Sequence, residues 1–493
     1  MARVTIDPIT RLEGHGKIEI FLNDDGEVEN AYLQIPELRG FEKFCEGRPV
    51  EELPRITPRI CGVCPEAHHL ASTKAADAVY HVDPPLAAKK LRELFYCAHM
   101  IHSHIAHFYA LAAPDFVVGP QADPAERNIL GVIAKVGTDI GLEVIKHRAY
   151  AQRIQEIIGG RATHPVCGLP GGMSRAVTEE ERRDFEEKGR SFVEFAKLSL
   201  KIFDDVVLTN KGYLDLITGD IYFMKSYYMG LVDSQNRVNF YDGDIRVVDP
   251  NGKEFARFKA AEYLDHIREH TEPWSYLKFP FLKKVGWKGL TEGMDSGIYR
   301  VNSLARLNVA DGMATPLAQE AYERFFKTLG GKPVHATLAF HWARLVELLY
   351  AAERLLELAQ DKEITDPNIR TIPTATPDEG VGVVEAPRGT LYHHYQTDKN
   401  GIVTKVNLIV ATGHNYAAMD MSVKKAAQGL IKAGNGVSEG LLNMVEMAFR
   451  AYDPCMACAT HCLPGQMPLE VVIRNSQGAE IRRLSRGLSG IIR

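Results

Sequence analysis

Apolar residues recur at spacings of three and four, with few interior prolines, over residues 86–111, 126–158, 179–207, 317–328, 337–360 and 416–447. That period follows one face of an α-helix and predicts helices there, several of them long. Elsewhere the period is two. Residues 15–22 and 28–35 alternate apolar and polar positions on either side of Asn23-Asp-Asp-Gly26, which predicts a β-hairpin. A second hairpin is predicted over 238–258 around Asp249-Pro-Asn-Gly252, a strand over 403–410, and a last hairpin over 469–484 around Asn475-Ser-Gln-Gly478. The expected fold class is α+β, mainly α: a long-helix core with small antiparallel sheets.

Composition narrows the function classes. The 493 residues are 45% hydrophobic and 25% charged, which is ordinary for a globular chain long enough to bury a large core. With 58 Lys+Arg against 63 Asp+Glu there is no basic surplus to track a phosphate backbone, so no nucleic-acid partner is expected. No run of about 18 uninterrupted apolar residues predicts a membrane span. The first residues lack an apolar signal-peptide core, and the expected location is cytoplasmic. There is no repeat, low-complexity run or long linker. The motifs described next suggest an N-terminal α+β segment, 1–75, and a mainly helical core, 76–370, that carries the 238–258 hairpin. A C-terminal segment, 371–461, and an extension, 462–493, follow.

Eight cysteines are too few for a disulfide scaffold at this length. Cys45, Cys97, Cys167 and Cys462 are scattered singly and read as structural. Cys61/Cys64 and Cys455/Cys458 form two Cys-x-x-Cys pairs near opposite ends of the chain. In each pair one tight turn can point both sulfurs at one metal ion. Gly62 is expected to relieve the first turn, and Pro454 to fix the entry to the second. Four soft thiolates suit zinc, an iron–sulfur cluster or a thiophilic first-row metal such as nickel, and spacing alone does not choose among them. Gly380-Val-Gly-Val-Val-Glu385 resembles the start of a dinucleotide fingerprint. Glu385 stands where that motif needs its third glycine, so no nicotinamide site is assigned there.

The flanking residues carry a resemblance. Arg11-Leu-Glu-Gly-His15, Arg39-Gly-Phe-Glu42, Arg59-Ile-Cys-Gly-Val-Cys64 with His68, Glu385-Ala-Pro-Arg-Gly389 and Asp453-Pro-Cys-Met-Ala-Cys-Ala-Thr-His461 form an ordered set running end to end. The set resembles the motifs of nickel–iron hydrogenase large subunits. Trp274-Ser-Tyr-Leu-Lys-Phe-Pro280, Leu304-Ala-Arg-Leu-Asn308, Thr315-Pro-Leu-Ala-Gln-Glu320 and Tyr392-His-His-Tyr395 are similar to the soluble, NAD(P)-linked bidirectional branch. The related quinone-reductase subunit of respiratory complex I shares that fold but lacks the four cysteines.

The resemblance implies the large-subunit fold and the reversible reaction H₂ = 2 H⁺ + 2 e⁻. It implies nickel bound terminally by Cys61 and Cys455, and Cys64 and Cys458 bridging nickel to an iron that holds carbon monoxide and cyanide. By the same resemblance Glu13 is the proton-relay carboxylate beside the terminal cysteine of the second pair. Burial beside an anionic cluster would raise its pKa. Arg388 offers its guanidinium to the cyanides, Thr412 donates a hydroxyl to one of them, and Asp115 and Asp453 support the site. A solvated salt bridge is the alternative for Asp115, and a surface or helix-capping role for Glu13. Glu42, the Leu408 carbonyl and His461 match a separate magnesium (or iron) site. His99, His102, His104 and His107 share a predicted helix without a ligand partner in register, and are read as packing and hydrogen-bonding groups.

In this family a maturation protease cuts after the motif histidine, so removal of 462–493 is expected; a permanent tail hairpin that the protein keeps is the alternative. No cysteines remain in a relay pattern, which calls for electron transfer through a separate iron–sulfur small subunit. The resemblance then implies a multisubunit complex with flavin-containing diaphorase subunits passing electrons to NAD(P), with ferredoxin as a further acceptor if the complex bifurcates. The alternatives are a deazaflavin- or heterodisulfide reductase-linked hydrogenase of the same soluble group, and a non-catalytic subunit stapled by zinc.

Overall fold

A computed structural model describes residues 2–7, 9–35, 40–434, 437–459, 469–474 and 480–486. The helical centre follows the apolar periodicity. The Phe340–Gln360 helix packs on both Leu86–Ala106 and Glu179–Phe203, and Thr138–Gly159 packs against Leu86–Ala106. Thr178 and Glu181 form a reciprocal capping box that starts Glu179–Phe203 and satisfies the backbone N–H of each.

Two predicted helices are broken. The stretch 126–158 becomes Ile129–Val136 and Thr138–Gly159, parted at Gly137, and Asn128 caps the first piece by accepting from the N–H groups of Leu130 and Gly131. The stretch 416–447 becomes Tyr416–Leu430 and Glu439–Arg450, the second capped by Ser438. Before Glu439 a cap residue inside the apolar run competes with the helix and wins, and at Gly137 a left-handed φ of 97° ends one helix before the next begins. The helices over 86–111 and 179–207 finish in π-helical turns, His107–Ala112 and Asp204–Leu208.

The first hairpin forms as Lys17–Leu22 and Val28–Gln34, and Ala2–Ile6 adds a third antiparallel strand that the sequence reading missed. The predicted 238–258 hairpin starts later, pairing Asp244–Val248 with Glu254–Phe258. It joins Tyr227–Val232 and the short Tyr299–Arg300 strand; that last pairing is parallel, an exception to the antiparallel expectation. The predicted 403–410 strand, Val403–Ile409, belongs to a three-stranded sheet with Gly389–Thr397 and Glu379–Ala386. The final hairpin pairs Leu469–Arg474 with Glu480–Arg486.

Two features aim this scaffold at one point. A helix that the periodicity did not reveal, Pro65–Val79, starts directly after Cys64, with Pro65 in its first position. It is buried almost all round and lies across the sheet strand Glu379–Ala386. That approach explains the Gly380-Val-Gly382 motif: a Cβ on Gly382 would stand 2.0 Å from the Ala71 carbonyl oxygen. The hydrophobic core that includes Ile6 and Met447 also takes in Cys61, Cys64, Cys455 and Cys458. Among the described residues no helix is long and apolar enough to cross a membrane.

Candidate metal centre

The two Cys-x-x-Cys pairs meet in the core. The four sulfurs lie within 4.8 Å of one another and all four residues are buried. Cys61 Sγ is 3.0 Å from Cys455 Sγ, Cys64 Sγ is 3.2 Å from Cys458 Sγ, and Cys455 Sγ is 3.0 Å from Cys458 Sγ. Soft, preorganised sulfur donors at this spacing can close on a thiophilic metal. Among the described residues no other cluster of His, Cys, Asp and Glu has ligand geometry.

The first turn aims backbone at sulfur. The N–H groups of Val63 and Cys64 donate to Cys61 Sγ at 3.2 and 3.4 Å. Gly62 is not needed for this: its φ is not left-handed and a Cβ there would touch nothing. The expected steric reason for that glycine is therefore wrong. Glycine is required instead at Gly14, whose φ of 85° is left-handed and whose Cβ would meet the Met456 Cβ at 2.8 Å. In the second pair the strain sits at Asp453, which has φ 54° and precedes Pro454.

Glu13 reaches the second pair from the N-terminal segment. Its Oε2 accepts from the Cys455 thiol and from the Ala457 N–H, each at 3.0 Å. Burial and the neighbouring Cys61 push its carboxyl above the usual range, and the thiol and amide donors offset only part of this. Neither a surface nor a helix-capping glutamate fits those contacts. Burial works against ionising the thiols. At Cys61 hydrogen bonds with Cys455, Cys458 and Cys64, together with the Arg388 charge, outweigh it and hold that thiol well below its ordinary value. Burial and the neighbouring thiols push Cys455 and Cys458 well above theirs.

Arg388 is buried over the same turn. Its Nε donates to the Asp453 carbonyl at 2.7 Å, and its terminal nitrogen lies 3.0 Å from Asp453 Oδ2. Burial raises the Asp453 carboxyl despite that guanidinium. The Thr412 hydroxyl oxygen accepts from the Cys455 N–H at 3.1 Å, which leaves its proton to donate elsewhere. His68, at the second turn of the Pro65–Val79 helix, places Nε2 at 3.4 Å from Cys458 Sγ.

Asp115 stands apart from the thiols. It is buried and hydrogen-bonds Arg11, Arg450 and Asn443, so the solvated salt bridge does not fit. Burial opposes its charge, but Arg450 and Arg11 outweigh this and hold the carboxyl below the usual range. The Leu408 N–H donates to buried Glu42 at 2.9 Å, so two of the three residues of the expected second metal site are together; His461 lies outside the described residues, as does Cys462. The helix histidines have polar partners: His99 meets Glu66 at 2.9 Å, His104 meets Glu347 at 3.1 Å and His107 the Arg450 carbonyl at 3.0 Å, while His102 meets Arg148. Cys45 and Cys167 are buried singly, and burial pushes both thiols up to about 12, consistent with structural roles. Sequence reasoning did not single out Arg450 and Asn443; the fold, not spacing, brings them to Asp115.

Comparison with known proteins gives the site its family. The family described as nickel-dependent hydrogenase matches residues 39–136 and 124–461, and one described as HoxL-like matches residues 3–38. The chain is 52% identical over 484 residues to an F420-non-reducing hydrogenase iron-sulfur subunit of Archaeoglobus profundus, covering 98% of this chain and 99% of that protein. It is 38% identical over 500 residues to the NAD-reducing hydrogenase HoxS subunit beta of Cupriavidus necator, covering 98% and 99%. A crystal structure of an NAD⁺-reducing [NiFe]-hydrogenase in its H₂-reduced state superposes with a TM-score of 0.88 at 38% identity, covering 94% of this chain and all of that one. The chain belongs to the nickel-dependent hydrogenase family and has the fold of its large subunit.

Proposed function

We propose that this chain is the H₂-activating subunit of a cytoplasmic hydrogenase complex and that Cys61, Cys64, Cys455 and Cys458 hold its nickel–iron centre. The single observation that carries this is the convergence of four buried sulfurs from both ends of the chain, with a carboxylate on one of them. Cys61 and Cys455 would hold the nickel, and Cys64 and Cys458 would be shared with an iron that would carry carbon monoxide and cyanide. A centre of this kind supplies the two-electron redox chemistry of H₂ = 2 H⁺ + 2 e⁻. The protein's own part is to move the proton and position the ligands. Cys455 Sγ passes a proton to Glu13 Oε2 across 3.0 Å, and the raised affinity of Glu13 for that proton suits transfer near neutrality. Arg388 and Thr412 offer fixed donors to anionic ligands, and Asp453 and Asp115 hold those donors and their neighbours in place. Glu42 and the Leu408 carbonyl, with His461, would hold magnesium or iron; oxygen donors suit the former.

The electrons leave through a separate iron–sulfur small subunit, because the remaining described cysteines are single and buried. Two readings of the acceptor each have support. The likeness to an NAD⁺-reducing hydrogenase at a TM-score of 0.88 supports a flavin and NAD(P) module, with ferredoxin as a further acceptor. The higher identity, 52%, to a relative named F420-non-reducing favours an acceptor other than the deazaflavin F420, such as a heterodisulfide reductase. Removal of 462–493 by a maturation protease completes the proposal. H₂-dependent reduction of NAD(P)⁺ by the purified complex separates the acceptors. An artificial dye reduced under H₂ with NAD(P)⁺ untouched favours the second, and no H₂-dependent reduction of any acceptor by a nickel-loaded complex contradicts the enzyme reading.

A further inference from the structure

We propose that the outward face of the Thr138–Gly159 helix docks a second copy of this chain, antiparallel about a two-fold axis beside Ile145, so that the complex assembles in pairs. Four of the ten large apolar side chains that stand exposed among the described residues fall in one stretch: Ile129, Leu130, Leu142 and Ile145. Leu130 is 73%, Leu142 63% and Ile145 64% exposed. The long helix buries Gly141, Val144, His147, Ala151, Ile154 and Ile158 against its own chain. On its other side Leu142, Ile145 and Ala149 follow one another at spacings of three and four, and Ala149 is exposed as well. The short helix before it, Ile129–Val136, has no polar residue but Lys135, yet Val132 alone is buried. A helix apolar almost all round belongs inside a protein, so this one lacks its cover. A Cβ on Gly141 would stand 3.3 Å from Ile133, so the two helices meet beside Leu142.

The charges along the long helix select the occupant. Asp139 and Glu143 lie in its first two turns; Lys146, Arg148 and Arg153 follow, with Glu156 the one later acid. Antiparallel pairing with an identical helix sets the acidic end of each copy against the basic end of the other, and the two-fold axis repeats the gain. Leu142 of one copy then faces the small Ala149 of the other, with the two Ile145 side chains near the axis. Parallel pairing would oppose like charges. Within one chain Glu143 meets Lys146 at 3.2 Å and Arg153 meets Glu156 at 2.6 Å. Both pairs are exposed and contribute little where they stand, so re-pairing across an interface costs little. The partner that takes the electrons is a poorer occupant. It must come close to the sulfurs, where Gly62 is exposed, whereas the long helix packs on Leu86–Ala106 and Glu179–Phe203.

The test is the mass of the purified native complex, measured by light scattering during gel filtration over a range of concentrations. The wild type is expected at twice the mass of one set of subunits. Ile145→Glu puts two carboxylates at the axis and should halve that mass. H₂-dependent dye reduction and the thermal midpoint should stay unchanged, since the residue is exposed within its own chain. Glu143→Lys should raise the concentration at which pairs dissociate by about tenfold, and adding Lys146→Glu, which restores opposite charges, should bring it back. Ile145→Cys should link two copies of this chain when treated with diamide, read as a doubled chain mass without reductant. Ile372→Cys, also 64% exposed but outside this face, should not. A wild-type mass of one set of subunits, or a doubled mass that Ile145→Glu leaves intact, would overturn the inference. Loss of a different subunit from Ile145→Glu with pairing unchanged would also overturn it and give the face to that subunit.

Discussion

Glu13 and Cys455, 442 positions apart, are joined twice: the Cys455 thiol donates to Glu13 Oε2 at 3.0 Å, and their backbones form a parallel β-bridge with the Met456 N–H donating to the Glu13 carbonyl. The bridge makes the carboxylate part of the second cysteine turn. A proton leaving that sulfur has an acceptor already in place.

Replacing Glu13 by Gln keeps an oxygen for the Ala457 N–H but removes the proton-carrying group. H₂-dependent dye reduction should fall by about 10²–10⁴-fold, the usual worth of a positioned acid–base group, while nickel content stays unchanged. Undiminished turnover together with undiminished H/D exchange would sink the relay role.

The Arg388 and Asp453 pair is buried at 3.0 Å, and breaking it leaves an uncompensated charge in the core. Arg388→Met should destabilise the chain by about 3–5 kcal/mol, seen as a lower thermal midpoint. Adding Asp453→Asn should recover part of that loss. A double variant no more stable than the single one would show that the pair is not the source.

Asp420 gives a pH dependence remote from the cysteines. Its Oδ1 accepts from the buried Leu33 N–H at 2.7 Å, and burial pushes its carboxyl from 3.8 up to about 7. Between those values the folded chain holds a proton that the unfolded chain has released. The contribution to stability is therefore full below the lower value and is lost as pH rises through the higher one. Asp420→Asn keeps the acceptor and cannot ionise, so the loss of unfolding midpoint between about pH 5 and about pH 8 should be smaller in the variant. Identical pH profiles would show that Asp420 is not strongly perturbed.

At Gly382 a Cβ would meet the Ala71 carbonyl oxygen at 2.0 Å and the Ala75 nitrogen at 2.4 Å. Gly382→Ala should force the sheet off the Pro65–Val79 helix and cost about 1–3 kcal/mol, read from the thermal midpoint. An unchanged midpoint would mean that the strand has room to shift.

Legibility in the sequence followed chemistry that is local. Long amphipathic helices and hairpins around Gly-containing turns were readable because burial on one side imposes a period. The Pro65–Val79 helix was not, because it is buried on nearly every face and its Ala, His, Ser and Thr residues leave no stripe. The break before Glu439 depends on a cap at Ser438, and the break at Gly137 on a left-handed glycine, both of which an apolar count passes over. The pairing of Cys61/Cys64 with Cys455/Cys458 was visible as donor chemistry, and the convergence of the two pairs is a property of the fold. The steric reason offered for Gly62 failed because the constraint sits on the opposing turn, at Gly14 against Met456. For Asp115 no motif shows that its partners are Arg11 and Arg450, brought from distant segments.

Elemental analysis of nickel, iron and zinc on the anaerobically purified native complex, with Cys455→Ser alongside, tests the assignment of the four thiols most directly. About one nickel per chain in the wild type, lost from Cys455→Ser together with H₂-dependent activity, is the result this account predicts. Zinc in place of nickel, or nickel and turnover retained by Cys455→Ser, would contradict it.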